Sequence, residues 1–102
     1  MLILYLNLLN DFCHRHPEAA VRMQHWVDTL YSLNFSDLND LHRTFRSADY
    51  VSPYTVFNVG GNHYRIVAEL IYERRSVLVR GVYTHDEYMK WTKQHRKGKG
   101  KR

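Results

Sequence analysis

Arg65, His85 and Tyr88 have side-chain types and an order along the chain that suit chemistry on a phosphate ester. Cleavage of RNA without a metal needs a base for the 2′-OH proton, an acid for the leaving 5′-oxygen and a cation for the charge on phosphorus. Histidine can serve as base or acid at neutral pH, and the planar arginine fork holds a phosphate. Tyrosine can donate a proton or stack on a nucleobase. These three residues therefore form a candidate catalytic set for RNA cleavage.

Each member of this set also has a structural interpretation. Arg65 shares a strand face with Glu69 and can form an ion pair with it. His85 can be an exposed residue in the first turn of a helix, and Tyr88 can be a core aromatic like Trp91. The sequence leaves both interpretations open for all three.

The second half of the chain has the pattern of an antiparallel sheet followed by a helix. β-forming residues run from Val51 to Val59, and Gly60-Gly61-Asn62 predicts a turn. Residues 63–72 alternate between two faces, residues 73–76 are a polar turn, and residues 77–83 form the next strand. Thr84-His-Asp-Glu87 is a capping box, which predicts that the last strand runs directly into a helix. We therefore expect a three-stranded meander that carries Arg65, with His85 and Tyr88 in the first helical turn after it.

The first half predicts helices. Residues 1–4 suit a short strand, residues 5–16 an amphipathic helix, and Pro17 to Leu33 a second helix with an apolar stripe of period 3.6. Ser36 is the expected N-cap of a short third helix. The fold class is therefore α+β, with N-terminal helices packed on a small antiparallel sheet and a C-terminal helix. The 102 residues allow one domain, assigned to residues 1–96, followed by a basic tail, residues 97–102.

The net charge of +5 is concentrated at the C-terminal end. Residues 93–102 hold six of the 15 Lys and Arg residues and no acidic residue, so the preceding 92 residues carry nine basic and ten acidic groups. A basic segment of this kind can bind the phosphates of a nucleic acid, although basic residues are also common at solvated chain termini. The expected RNA-binding residues are Tyr64, Arg80, Lys90, Lys93, Arg96, Lys97 and Lys99.

The sequence disfavours a metal site, a secreted protein and a membrane protein. The nearest metal-like cluster, His14, His16 and His25, lacks a full ligand set, so we expect no metal and no cofactor. The single cysteine, Cys13, suits a reducing compartment. The apolar opening lacks the features of a signal peptide, and no apolar run approaches the length that spans a bilayer. We therefore expect a soluble cytoplasmic protein that makes no membrane contact.

Residues 56–68 (VFNVGGNHYRIVA) and residues 84–88 (THDEY) together resemble the HigB family of toxin–antitoxin systems. The segments HPEA at residues 16–19 and RSAD at residues 46–49 are similar as well, so the resemblance spans nearly the whole chain. It implies a RelE-like fold and a ribosome-dependent mRNA endonuclease without a cofactor. It further implies a partner antitoxin of the HigA type, which has a helix-turn-helix domain and binds promoter DNA.

The resemblance also implies roles for individual residues. Arg65 stands where RelE-type toxins keep a phosphate-binding arginine, His85 where they keep an arginine or histidine, and Tyr88, or alternatively Trp91, near their C-terminal catalytic tyrosine. Arg80 is a further phosphate contact or the partner in a salt bridge. One departure is that Val56 and Asn58 occupy the positions of two lysines in RelE, so the role of general base moves to His85.

These observations favour an mRNA interferase that cleaves by metal-independent attack of the 2′-OH. The competing interpretation is a non-catalytic module that binds RNA or the ribosome and blocks translation by occupancy. A basic tail, exposed aromatics and a small α+β fold would serve either.

Overall fold

The computed structural model describes the backbone of residues 1–100 and the side chains of residues 1–95. Strand β1 (Leu2–Leu4) is followed by helices α1 (Leu6–Arg15), α2 (Ala20–Ser32) and α3 (Leu38–Thr44), with a 3-10 turn at Pro17–Ala19. Strands β2 (Asp49–Val51), β3 (Tyr54–Val59), β4 (Tyr64–Ile71) and β5 (Ser76–Thr84) come next, with a 3-10 turn at Tyr72–Arg74. Helix α4 (His85–Gly100) is the last element of the described residues. The predicted α+β class is confirmed.

The sheet is larger than the predicted meander and is mixed rather than antiparallel. Its strand order is β1-β5-β4-β3-β2. The three expected strands are its antiparallel centre, but β1 adds to β5 in parallel and β2 adds to β3 at the other edge. The strand predicted from Val51 to Val59 is divided at Ser52-Pro53, because proline has no N–H to donate to a neighbouring strand.

The helix boundaries differ slightly from those predicted. The second helix begins with the 3-10 turn, and the third is capped by Asp37 rather than by Ser36. The Asp37 carboxylate accepts the Asp40 N–H at 2.8 Å, while the Asp40 carboxylate accepts the Ser36 N–H at 3.0 Å. Ser36 therefore precedes the cap by one residue and donates its backbone N–H to the Asp40 carboxylate.

The two faces of the sheet are covered by different helices. Helices α1 to α3 enclose the larger apolar cluster, which includes Phe12, Met23, Leu30, Leu41 and Phe57. Helix α4 lies on the other face over a smaller cluster of Val51, Val56, Val67 and Tyr88. We refer to these as the helix side and the α4 side.

The alternation along β4 decides which side receives each of its residues. Ile66 and Ala68 belong to the larger cluster, and Val67 belongs to the smaller one. Arg65, which alternates with Ile66, therefore projects to the α4 side, as the sequence predicts. The capping box that joins β5 to α4 is also confirmed, since the Thr84 N–H donates to the Glu87 carboxylate at 2.9 Å and the Glu87 N–H donates to Thr84 Oγ1 at 3.3 Å.

Candidate active site

Arg65 lies between the sheet and α4, and its side chain is held by contacts on two sides. Its residue is 8% exposed. Nη1 donates to the Tyr64 carbonyl oxygen at 3.1 Å, and Cζ lies 5.4 Å from the centre of the Tyr88 ring. Burial fixes the position of the guanidinium, and the aromatic face stabilises its charge.

Within the described side chains, no carboxylate pairs with Arg65. The ion pair with Glu69 considered from the sequence is not formed, because Glu69 instead pairs with Arg80 at 2.8 Å. Among the described side chains, the buried nitrogen and oxygen atoms without a hydrogen-bond partner are Trp26 Nε1 and Thr92 Oγ1. Nε and Nη2 of Arg65 are not among them, so they keep some contact with solvent. A charge that is mostly buried and lacks an anionic partner favours binding of an external anion.

Tyr88 is a buried aromatic of the smaller cluster, 9% exposed. Its ring stacks on Trp91 with 5.7 Å between centroids, and Trp91 stacks on His95 at 4.0 Å. The Tyr88 ring is therefore a core aromatic, which is one of the two interpretations that the sequence left open. The same ring also contacts the guanidinium of Arg65.

Tyr83 is a member of this site that the sequence analysis did not single out. It is the cross-strand partner of Arg65 and packs against the smaller cluster. Burial raises the pKa of its phenol, and the nearby Glu87 and Tyr54 raise that pKa further. Tyr83 is therefore a protonated hydrogen-bond donor at neutral pH and unsuited to be a base.

Gly81 provides the space for Tyr83. A Cβ atom at position 81 would collide with the Tyr83 hydroxyl and would lie 2.6 Å from Cζ of the same ring. Gly81 and Tyr83 are two residues apart on one strand, so their side chains share a face. The one sequence signal for this arrangement is a glycine in the interior of a strand, which indicates a close approach by another group.

His85 is exposed at the first position of α4. Its backbone N–H donates to the His63 carbonyl oxygen at 2.9 Å, which continues the pairing of β4 with β5 by one residue. Among the described residues, its imidazole has no hydrogen-bond or ion-pair partner. The ring is therefore free to reach a substrate at the end of the sheet.

The expected RNA-binding residues with described side chains lie on three elements: Tyr64 on β4, Arg80 on β5, and Lys90 and Lys93 on α4. Tyr64 lies on the helix side, where its hydroxyl donates to the Glu18 carboxylate at 3.0 Å and its ring packs edge-on against Phe12. Arg80 pairs with Glu69 and has its Cζ 5.3 Å from the Tyr5 ring centre, so the salt-bridge alternative is formed. Lys90 and Lys93 are exposed on α4. The side chains of Arg96, Lys97 and Lys99 lie outside the described residues.

Neither a metal site nor a helix that could span a membrane is found among the described residues. No group of three or more His, Cys, Asp or Glu residues within it is arranged to hold a metal ion. His16, from the cluster considered in the sequence, instead packs on the Phe12 ring and pairs with Glu18 at 3.4 Å. No helix in the described range is both long enough and apolar enough to cross a membrane.

Comparison with known proteins gives a consistent set of relatives. The model of the HigB toxin family, described as the RelE-like toxic component of a toxin–antitoxin system, matches residues 19–91. The chain is 35% identical over 95 residues to the mRNA interferase toxin HigB of Escherichia coli strain K12, covering 89% of this chain and 91% of that protein. The mRNA interferase HigB of Shigella flexneri matches to the same extent. The mRNA interferase HigB of Escherichia coli O6:H1 is 25% identical over 92 residues, covering 87% of this chain and 89% of that protein.

Proposed function

The chain belongs to the HigB family of RelE-like toxins, and we propose that it is an mRNA interferase that arrests growth by cutting mRNA on the ribosome. The match to the relatives named mRNA interferase covers 91% of their length, which supports extending that activity to this chain. An antitoxin partner follows from membership in this family. A helix-turn-helix antitoxin of the HigA type is the form that we propose for it.

The observation that carries the proposal is the unpaired guanidinium of Arg65. It is held by the Tyr64 carbonyl and the Tyr88 ring, retains contact with solvent, and forms no ion pair with a carboxylate among the described side chains. Such a preorganised cation stabilises the negative charge that develops on phosphorus as a phosphodiester is attacked. A scissile phosphate bound there would supply the missing anionic partner.

Cleavage then needs only groups that this chain supplies. The 2′-OH attacks phosphorus, the bond from phosphorus to the 5′-oxygen breaks, and the products are a 2′,3′-cyclic phosphate and a 5′-OH end. His85, exposed at the start of α4 and two residues after Tyr83, the cross-strand partner of Arg65, acts as general base or acid. Val56 and Asn58 cannot act as bases, and Val56 is buried in the smaller cluster, which supports assigning proton transfer to histidine. Tyr88 acts by holding Arg65.

Mapping of RNA 5′ ends after induction tests this proposal. Expression of the wild-type protein should stop growth and create new 5′ ends within translated mRNA. Arg65→Ala should lower cleavage by about 100-fold or more, as loss of a transition-state contact does. Arg43→Ala is the matched control, because Arg43 is an arginine on α3 whose side chain is 84% exposed. It should cleave like wild type.

The occupancy alternative gives a different result in the same experiment. A protein that only blocks the ribosome stops growth without creating new RNA ends, and that outcome would refute cleavage. Removal of residues 97–102 tests the proposed role of the tail. It should weaken RNA or ribosome binding more as salt is raised, while cleavage at saturating ribosome concentration stays unchanged.

A further inference from the structure

His63 and His85 are placed next to each other by the end of the β4–β5 pairing. Tyr64 and Thr84 are the last paired residues of these strands, and the hydrogen bond from the His85 N–H to the His63 carbonyl extends the pairing by one step. This bond, 2.9 Å long, joins the backbones of the two histidines directly. The two imidazoles therefore arise from neighbouring backbone positions, although 21 residues separate them in sequence.

Both imidazoles are available for chemistry. His63 and His85 are exposed, and neither ring forms a hydrogen bond or ion pair with another described residue. His63 contacts the Tyr64 ring, with 6.1 Å between centroids. Three other histidines are engaged in the fold, because their ring nitrogens contact Glu18, the Ala48 carbonyl and the Trp91 carbonyl: these are His16, His42 and His95.

Two more histidines, His14 and His25, are exposed, but they lie on α1 and α2. His63 instead precedes Arg65 by two residues, in the turn that leads into β4. His63 and His85 thus stand at the end of the sheet where β4 begins and β5 ends, and Arg65 is the second residue of β4.

From this arrangement we propose that His63 is a second catalytic residue, which forms a general acid–base pair with His85 around the phosphate held by Arg65. One imidazole takes the proton of the 2′-OH as the 2′-oxygen bonds to phosphorus. The other gives its proton to the 5′-oxygen as that oxygen leaves. Each turnover exchanges the protonation states of the two rings, and solvent restores them. The proposal rests on the proposed RNA cleavage and adds the second proton-transfer group that this reaction requires.

Single substitutions give the first test. His63→Gln and His85→Gln keep a polar side chain but cannot transfer a proton at neutral pH, so each should lower the cleavage rate by about 100-fold or more. His14→Gln is the matched control and should leave the rate unchanged. Circular dichroism and urea midpoints should match wild type for all three, since all three positions are exposed.

A modified substrate separates catalysis from binding. We would use an RNA whose scissile 5′-oxygen is replaced by sulfur, because a thiolate leaves without needing a proton. The RNA is presented in whichever context, ribosome-bound or free, the wild-type protein cuts it. One of the two glutamine variants should regain most of its rate on this RNA, which identifies the general acid, and the other should stay slow, which identifies the base.

The outcomes distinguish this inference from the proposed function. Wild-type cleavage together with an unchanged rate for His63→Gln would overturn the role of His63 and leave the interferase intact. Slow cleavage by His63→Gln and His85→Gln on both RNAs, or recovery of both variants on the sulfur RNA, would also overturn the pairing. Absence of wild-type cleavage would instead refute the proposed function.

Discussion

The two sides of the sheet are built from different kinds of side chain. The helix side is a continuous apolar cluster in which Phe12, Leu30 and Leu41 are fully buried. The α4 side has three buried valines, several aromatic rings and the charge of Arg65. Burial of a charge without an anionic partner destabilises a fold, whereas burial of apolar area stabilises it. The helix side therefore supplies most of the stability, and the α4 side holds groups whose arrangement serves a ligand.

A substitution on the helix side should have the largest effect on stability. Phe57→Ala removes a fully buried ring that packs edge-on against Trp26 and Phe45, at centroid distances of 5.3 and 5.0 Å. The free energy of unfolding should fall by about 3–5 kcal/mol, as measured by urea denaturation. Val21→Ala, at a position 79% exposed on α2, is the control and should change it by less than about 0.5 kcal/mol.

The same variant tests the division between the sides. Folded Phe57→Ala protein, at a temperature where it remains native, should cleave RNA at the wild-type rate. A large loss of rate in the folded variant would mean that the helix side also positions the catalytic groups, and the comparison would fail.

On the α4 side, Gly81→Ala should affect activity more than stability. The added Cβ occupies the space of the Tyr83 ring, which must move away from its place beside Arg65. Overpacking of this kind costs about 1–3 kcal/mol in the free energy of unfolding. Displacement of Tyr83 should in addition lower the cleavage rate of the protein that remains folded.

A double-mutant cycle isolates this effect. In a Tyr83→Ala background the ring is absent, so adding Gly81→Ala should have little further effect on stability or cleavage. If the two substitutions were instead additive, Gly81 would be needed for a reason other than the room it gives to Tyr83.

Three signals formed by neighbouring residues predicted their structures correctly. The alternation of residues 64–71 placed Arg65 opposite Ile66, and the Thr84-to-Glu87 capping box predicted the start of α4. Both depend on neighbouring residues alone. The turn at Gly60 and Gly61 was predicted for the same reason, and both glycines have positive φ angles, 65° and 67°.

Features that depend on distant pairing were missed. β1 pairs in parallel with β5, so that Leu2 aligns with Ser76, and no local pattern specifies that partner. The adjacency of His63 and His85 depends on the register of β4 against β5, which shifts at an irregularity between Val67 and Ala68. The sequence therefore predicted Arg65 and His85 as candidates, but the packing of Tyr83 over Gly81 and the position of His63 required the structure.

The smallest predicted effect concerns Tyr64, a residue that contacts groups on both sides of the sheet. Its hydroxyl donates to Glu18 on the helix side, and its carbonyl oxygen accepts from Arg65 on the α4 side. A hydrogen bond from its own backbone N–H lowers the pKa of Glu18, and those from Tyr64 and the neighbouring His16 lower it further, from an ordinary value of 4.5. Because the folded-state pKa is lowered, the carboxylate stabilises the fold above about pH 4.5 and loses that contribution as the pH falls through the folded value.

Glu18→Gln should therefore be slightly less stable than wild type at neutral pH and should approach it as acid protonates Glu18. Urea midpoints measured from about pH 7 to about pH 3 would show this convergence, whereas a difference that is constant across the range would contradict it. Glutamine can still accept the Tyr64 hydrogen bond, so the backbone of Tyr64 should keep its position and the cleavage rate should remain at the wild-type value. If the rate fell while stability stayed close to wild type, the helix side would control the orientation of Arg65 through Tyr64, and the two sides would be coupled rather than separate.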